Sequence, residues 1–390
     1  MKTVVGVGKL VFWCSFICVL FLAWTPFVSA DEVEDWMIES RLDRYYDLPK
    51  TARVVGMGGA SWVTSNDISS VFGNPAGLGF ATGPELGITY SHDEYSGRDS
   101  SFAPFIGGNT GNTKAAGNPI FCNAEGRKNQ GGLQLVLPGG AGGSCGVFGF
   151  GAWVDDTNFD DCDDTDAQRY RFNAGYGLKL NDCLSLGYSL TYFNDDVEDR
   201  YSDYNLDDGF RHDIGLQLRP GPGCTFGLRT FYAHGNPDTD ITTLGSDEGD
   251  LDSWGVEFGY SWQVLPCTLL AASVDYQDRE YDGIIYAPDQ DEIRSFDEEI
   301  KGWGFHVGLE QNYRDCLFPR LGYRYQTNDY DSHQVGQYFR GRDDFESNYH
   351  AVSTGIGWAY NKCLTLDYGM EYRFIGDGDL NNTVTARFHF

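Results

Sequence analysis

Six cysteines mark the places in this chain where thiol chemistry could occur, because a thiol can form a disulfide or bind a soft metal. They are Cys145, Cys183, Cys224, Cys267, Cys316 and Cys363. Each follows a short turn sequence, such as PGPG before Cys224, and opens a stretch of alternating apolar and polar residues. With Cys122 and Cys162 they make eight cysteines beyond residue 30. An even number of cysteines invites disulfides if the chain is exported.

One acidic stretch has the residue types that bind hard cations. Residues 155–166, DDTNFDDCDDTD, hold seven aspartates in twelve positions. Ca²⁺ prefers clustered carboxylates, which makes Asp161, Asp163, Asp164 and Asp166 weak candidates for a metal site. Because these aspartates lack an ordered ligand spacing, we prefer the interpretation that the segment is a solvated loop.

Catalytic chemistry finds little support in the sequence. The seven histidines are His92, His212, His234, His306, His333, His350 and His389. None forms a recognisable motif with a nucleophile, which a hydrolase would need. We therefore expect neither an enzyme nor a cofactor.

The first thirty residues have the pattern of a secretory signal peptide. Lys2 and Lys9 precede an apolar run over residues 10–24, and the sequence VSA ends at Ala30 as a small-x-small cleavage site. We expect cleavage after Ala30 and a destination outside the cytoplasm. The formal net charge of -29 excludes nucleic acid as a partner.

Alternation with a period of two residues dominates the chain from residue 84 onward. In KCLTLDYGMEYRF, residues 362–374, apolar side chains face one way and Thr, Asp, Gly, Glu and Arg the other. This pattern predicts a strand whose two faces meet different surroundings. Fourteen such stretches follow one another, and the last ends at Phe390. Periodicity alone fits both a soluble sandwich and a membrane barrel.

The connections between the stretches decide between the two architectures. Short turns alternate with long acidic connections, which are residues 94–130, 155–168, 196–209, 235–250, 280–298 and 328–347. Short turns at one end, long loops at the other and an even strand number are typical of outer-membrane barrels. We predict an all-β, fourteen-stranded antiparallel transmembrane barrel over residues 84–390. It should be a monomer in the Gram-negative outer membrane, with the six cysteines at its periplasmic rim.

Residues 31–83 lack the strand pattern, yet they are too rich in apolar residues for a linker. They contain ARVVGMGGA and then NDISSVFGNPAGL, which ends shortly before the first strand. With the fourteen strands and the terminal Phe390, these sequences resemble the FadL/OmpP1/TodX family of outer-membrane transporters for long-chain fatty acids and other hydrophobic compounds. The resemblance spans nearly the whole chain beyond residue 30.

This resemblance implies a lumenal hatch made by residues 31–83, with Asn74, Pro75 and Ala76 in the plug. It also implies an apolar ligand pocket near the hatch. Charged lumenal pairs, for example Arg171 or Arg373 with Asp367 or Glu371, are expected to brace the wall and the hatch.

The resemblance further implies a lateral exit beside a kinked third strand. The third strand here carries Gly146, Gly149 and Gly151, and glycine in a strand often marks a bend or bulge. The same glycines could instead make room for the hatch, and the sequence leaves both interpretations open.

The expected cargo is a hydrophobic small molecule, either a long-chain fatty acid or an aromatic or aliphatic hydrocarbon. The acidic loops repel carboxylates, which favours an uncharged cargo, although salt screens this repulsion beyond about 8–10 Å. Other expected partners are outer-membrane lipid, lipopolysaccharide and the barrel assembly machinery, which reads a terminal strand like the one ending at Phe390. A porin, or a structural or secretion-associated barrel without cargo, remains the alternative.

The cysteines should differ by location. Successive rim cysteines lie two strands apart, roughly 10 Å, whereas a disulfide needs Cα atoms within about 7 Å. We therefore expect the rim cysteines to be unpaired, small and buried against the hatch. Cys122 and Cys162 fall in extracellular loops that should be neighbours, and we predict a disulfide between them.

Overall fold

The computed structural model describes residues 48–100, 121–139, 145–159, 166–198, 202–241, 245–285, 294–336, 339–374 and 379–390. All of them belong to one compact unit, residues 33–390. Within these ranges no helix is both long and apolar enough to cross a bilayer.

The alternating stretches form antiparallel strands joined into one sheet. In chain order they are β1 Glu85–Ser100, β2 Phe121–Pro138, β3 Val147–Phe159, β4 Asp166–Lys179, β5 Leu184–Glu198, β6 Ser202–Gly221, β7 Cys224–Gly235, β8 Asp238–Ile241, β9 Gly245–Leu265, β10 Thr268–Ile285, β11 Arg294–Gln311, β12 Leu317–Gly336, β13 Phe339–Ala359, β14 Leu364–Phe374 and β15 Asp379–His389.

The sheet closes on itself. The first strand pairs with the last, with Leu86 opposite Phe388, and β9 pairs with both β7 and β10. The short strand β8 is an addition to the connection between β7 and β9, where it pairs with β6 and β9. The wall is therefore a closed, 14-stranded antiparallel barrel, which confirms the predicted fold.

The two faces of the wall are as different as the alternation predicted. On β6, Ile214 is 59% exposed, whereas its neighbour Asp213 is 1% exposed. Aromatic and aliphatic side chains cover the exterior, and charged, hydroxyl and amide side chains line the interior. An apolar exterior around a polar interior suits a barrel that spans a membrane.

The strands extend well beyond the alternating stretches, which corrects the predicted loop lengths. Residues 328–347 were expected to form a long loop, but β12 and β13 leave only residues 337–338 between them. Above the apolar belt both faces of a strand carry polar residues, so no period of two reveals the strand. The acidic connections are thus in large part strand.

Residues 48–80 fill the barrel and are called the plug below. They form a short helix, α1 Ala52–Gly56, and two 3₁₀ helices, η1 Ile68–Ser70 and η2 Pro75–Phe80. Their apolar side chains join those of Val136 and Trp153 in one buried cluster. The hydrophobic core of this barrel is therefore built around the plug.

Candidate functional site

The sequence NPA anchors the plug to the wall. Asn74 is fully buried, and its side-chain oxygen accepts a hydrogen bond from the Ala76 N–H at 3.1 Å. Its Nδ2 lies 2.9 Å from the plug carbonyl of Val63. The same nitrogen lies 3.2 Å from the carbonyl of Leu216 on β6 and 3.3 Å from that of Leu228 on β7. One amide therefore caps η2 and ties it to two strands.

Pro75 and Ala76 extend this anchor. Pro75 opens η2, where its fixed φ and missing N–H cost nothing. The Ala76 carbonyl accepts a hydrogen bond from the Ser185 hydroxyl of β5 at 2.8 Å. The three residues predicted to lie in the plug are thus placed at its contact with β5, β6 and β7.

Glycines on three successive strands leave room for the NPA anchor. A Cβ on Gly187 would lie 2.2 Å from Pro75, one on Gly215 would lie 1.9 Å from Asn74, and one on Gly227 would lie 2.2 Å from Val63. Backbone and plug are in direct contact at all three positions. Sequence reasoning missed these glycines, although their place on the lumenal face of adjacent strands was a usable signal.

The glycines near the third strand have the same role in part. A Cβ on Gly149 would lie 2.9 Å from Leu78, and one on Gly151 would lie 2.5 Å from Phe72. These contacts favour the interpretation that glycine makes room for the plug. Gly146 has a φ of +84° and precedes β3.

The ladder between β3 and its neighbours is continuous. β3 pairs with β2 from Val147 to Phe159 and with β4 from Val147 to Asn158, and neither pairing shows a register shift. The lateral exit at β3 stays a prediction, and using it would require these strands to separate.

A charged cluster, called the clasp below, joins the plug to four further strands. It comprises Arg53, Asp67, Glu310, Arg320, Asp367 and Arg387. Arg53 donates two hydrogen bonds to Glu310 of β11, at 3.0 and 3.2 Å, and one to Asp67 at 3.0 Å. Arg387 of β15 reaches Asp67 at 3.3 Å.

The wall completes the clasp. Arg320 of β12 donates to Glu310 and to Asp367, both at 2.7 Å, and Arg387 donates to Asp367 at 2.8 Å. Burial alone would raise the pKa of Asp67, but Arg53, Arg387 and the hydrogen bonds to Ser69 outweigh burial and hold that pKa well below its usual range. The carboxylate is therefore ionised when the plug is docked.

The charged pairs expected from the sequence form only in part. Arg373 contacts Glu371 at 3.2 Å as predicted, whereas Arg171 pairs with Asp195 at 3.3 Å. Asp367 belongs to the clasp instead. Alternation placed these residues in the lumen, but it could not give their partners, which depend on the stagger between strands.

A small cavity of about 70 Å³ lies between the plug and the wall. Its lining includes Lys50, Trp62, Arg211, Arg229, Phe231, Glu257, Asp275, Gln277, Arg279, His306, Arg324, Tyr349 and Arg373. The resemblance implied an apolar pocket, and this lining instead is predominantly charged. His306 spans the boundary, with one ring nitrogen 2.8 Å from the Gly58 carbonyl of the plug and the other 2.6 Å from Asp275.

The rim cysteines lie in or beside the short turns, at the barrel end that also carries both strand termini, Glu85 and His389. All six are free thiols; Cys224 and Cys267 are half-buried and the other four are exposed. The expectation that they are buried against the plug is therefore wrong, because residues in or beside these turns are accessible to solvent.

The remaining predicted sites lie at or outside the limits of the described residues. Cys122 lies in β2 opposite Asp99. Its proposed partner Cys162 and the candidate calcium ligands Asp161, Asp163 and Asp164 lie outside the described residues, and of the last ligand, Asp166, only the backbone at the start of β4 is described. The disulfide stays a prediction.

Neither protein-family models nor curated protein sequences match the chain. Several solved structures do match it. A FadL homologue from Pseudomonas aeruginosa superposes with a TM-score of 0.62 at 15% identity, covering 87% of this chain and 98% of that one. The toluene transporter TbuX from Ralstonia pickettii gives 0.53 at 14% identity, covering 88% and 100%. The toluene transporter TodX from Pseudomonas putida gives 0.52 at 13% identity, covering 89% and 100%. The chain shares the fold of these channels over nearly its whole described length.

Proposed function

We propose that this protein is an outer-membrane channel through which hydrophobic small molecules cross passively. The observation that carries this proposal is the buried plug inside a closed barrel, anchored by Asn74 and by the clasp. Similar architecture occurs in proteins named as a FadL homologue and as toluene transporters. A blocked lumen argues against an open diffusion porin.

Passage of a cargo requires the plug to move. The cavity of about 70 Å³ is well below the roughly 150 Å³ that holds a benzene molecule in a protein interior. Long-chain fatty acids and aromatic or aliphatic hydrocarbons are all larger than this space. Displacement of the plug, followed by release into the periplasm or sideways near β3, would let them pass without an energy source, since consumption inside the cell sets the direction.

Several features support a place in the outer membrane. The apolar exterior provides a lipid-facing belt, and Phe390, 77% exposed, directly follows the final strand, where the assembly machinery would recognise it. Residues 1–30 would direct export, and residues 31–83 and 84–390 would be the hatch and the barrel. We propose a monomer that contacts lipid and lipopolysaccharide.

The test is uptake by a host that lacks its own long-chain fatty-acid transporter. Growth on oleate and uptake of labelled toluene should both be compared with cells carrying an empty vector, after heat-modifiable migration shows that the barrel is folded. Uptake of either compound supports the channel and identifies its cargo class. Failure of both, with a folded barrel, would favour a structural or secretion-associated barrel without cargo.

A further inference from the structure

His306 of β11 joins the plug to a neighbouring strand through both of its ring nitrogens. The residue is only 8% exposed. Its Nδ1 lies 2.8 Å from the Gly58 carbonyl of the plug, and its Nε2 lies 2.6 Å from a carboxylate oxygen of Asp275 on β10. A Cβ on Gly59 would lie 2.8 Å from the same Nδ1, so the plug backbone is in direct contact with the ring. The contacts of Gly58, His306 and Asp275 are called the histidine bridge below.

The histidine bridge needs an additional proton, because both partners of the ring are hydrogen-bond acceptors. Neither a backbone carbonyl nor an ionised carboxylate can donate a hydrogen bond. A neutral imidazole has a single N–H, so it can satisfy one of the two contacts and must turn a lone pair toward the other oxygen. The histidine bridge therefore holds one proton more than a neutral histidine and an ionised aspartate carry together.

The elements around the ring present other charged groups to the histidine bridge. These groups are Asp275 of β10, Glu257 of β9, Arg324 of β12, directly opposite His306, and Lys50 of the plug. Glu257 lies 3.3 Å from Arg229, and Arg324 lies 2.8 Å from Glu371. Of these residue types, only histidine ordinarily changes its charge between about pH 5 and about pH 8. His306 is therefore the group that can make this contact respond to pH in that range.

Loss of the additional proton should break the histidine bridge on the side of the plug. A hydrogen bond from an N–H to a carboxylate is stronger than one to a neutral carbonyl, because the carboxylate is charged. The remaining proton should therefore stay on Nε2, which faces Asp275. Nδ1 then turns a lone pair toward the Gly58 carbonyl, and a buried acceptor that loses its donor destabilises the docked plug.

We propose that the histidine bridge is a proton-dependent tie, which holds the plug at Gly58 and weakens as the pH rises. The docked plug binds one proton more than the released plug, so docking becomes less favourable with increasing pH. This inference rests on the proposed function, because it treats displacement of the plug as the step that opens the channel. It adds a control of that step by pH, while Asn74 and the clasp hold the plug elsewhere.

The test is hydrogen exchange of the purified full chain without cargo, corrected for the pH dependence of intrinsic exchange. The amides of Gly58 and Gly59 donate to the carbonyls of Val55 and Val54 at 2.9 and 3.0 Å, so their exchange reports opening of this part of the plug. Between about pH 6 and about pH 8, we expect their protection to fall at least about fivefold, as the loss of a buried hydrogen bond predicts. Protection that is constant or rises with pH would overturn the proposal.

Two substitutions should remove the pH dependence in opposite ways. The amide of Asp275→Asn can donate to a neutral Nε2, which leaves the proton on Nδ1 for Gly58, so the plug should stay protected at both pH values. His306→Gln removes the titrating ring, so protection should be equal at both pH values and as low as that of the unmodified protein at about pH 8.

His212→Gln is the matched control, because His212 lies on the exposed face of β6, where it contacts the Tyr188 hydroxyl at 2.7 Å. It should keep the pH profile of the unmodified protein. Heat-modifiable migration identifies variants that fold, and the two bridge variants guard against one that does not. A folded His306→Gln or Asp275→Asn protein that keeps the original pH profile would show that another group titrates.

Uptake separates failure of this inference from failure of the proposed function. If cells take up toluene or oleate while protection of Gly58 does not depend on pH, the channel stands and the proton-dependent tie is wrong. If protection follows the expected pH profile but uptake of both compounds fails with a folded barrel, the tie stands and the proposed function is wrong.

Discussion

The same strands form the lumen and the outer face above the apolar belt, which is called the outer wall below. Charged side chains are arranged differently in these two regions. Inside, Asp213 lies 3.0 Å from Arg211 and Asp367 lies 2.7 Å from Arg320. Outside, above the apolar belt, Glu280, Asp282 and Asp297 are exposed and have oxygens within 4.8 Å of one another. A buried carboxylate needs a cation beside it, whereas water and salt screen the repulsion between neighbouring exposed carboxylates.

The difference shows which charges hold the molecule together. Removing one lumenal partner leaves a buried charge uncompensated, whereas removing one outer carboxylate relieves repulsion. The lumen should therefore be sensitive to single substitutions and the outer wall insensitive. Five experiments test this contrast.

The largest effect should come from Arg53→Met, which removes the plug's cation from the clasp. Glu310 and Asp67 then lose a shared partner in a buried site, which costs about 3–5 kcal/mol. We expect the plug to undock while the barrel stays folded. Hydrogen exchange of residues 48–80 and conductance in planar bilayers measure undocking.

Arg314→Met serves as the control, because Arg314 lies in an exposed turn. If the Arg53 variant exchanges no faster than this control, the clasp does not hold the plug.

Asn74→Asp should have the next largest effect. It keeps the oxygen that caps η2 but replaces the Nδ2 donor that faces Val63, Leu216 and Leu228. Carbonyls that lose a donor in a buried site cost about 1–3 kcal/mol. Cargo uptake should change while assembly of the barrel stays intact. A variant that fails to assemble would show that this residue serves folding and not the hatch.

A third experiment compares two glycines of one strand. Gly215→Ala places a Cβ 1.9 Å from Asn74, whereas Gly221→Ala meets nothing within 4 Å. We expect about 1–3 kcal/mol of destabilisation at Gly215 from overpacking and almost none at Gly221. Denaturant titration of both variants gives the difference. Equal stabilities would mean that the plug yields freely at this contact.

The smallest effect should come from Glu280→Gln on the outer wall. Partial burial and then repulsion by neighbouring carboxylates raise the pKa of Glu280, and the same kinds of cause raise the pKa of Asp282. An acid whose pKa is raised on folding destabilises the protein above that pKa, and the penalty falls as the pH drops. The substitution should add no more than about 0.5 kcal/mol of stability at pH 7.

Lowering the pH tests the plug and the outer wall in a single experiment. The pKa of Asp67 is lowered on docking, so its contribution is present above the unfolded value of about 3.9 and is lost only as the pH falls below it. As the pH is lowered from about 8 to about 5, which stays above the unfolded pKa of Asp67, the plug should stay docked, and the repulsion among the outer carboxylates should weaken as those groups take up protons. Thermal melting and exchange of residues 48–80 across this range report the two regions separately. Release of the plug at pH 5 would contradict the clasp.

The sequence predicted the wall well and the interior poorly, for physical reasons. Alternation in segments such as residues 364–374 reports which face meets lipid, because that choice is local. Arg53 pairs with Glu310, which is 257 residues away, and Asp67 pairs with Arg387, which is 320 residues away. Such pairs depend on the stagger between strands and on the position of the plug. Neither of these produces a repeating pattern in the sequence. The strand extensions beyond residue 328 were not predicted, because both faces of these segments carry polar residues and the sequence therefore shows no alternation of apolar and polar positions.

The unbroken ladder from β2 through β3 to β4 fixes the perimeter of the barrel. A ring of hydrogen-bonded strands cannot widen gradually, because each added gap breaks a whole row of bonds at once. The plug, in contrast, is held by discrete contacts that can be released one after another. In the proposed channel, the rate at which the plug undocks should therefore set the maximum flux of cargo, and the diameter of the barrel should not.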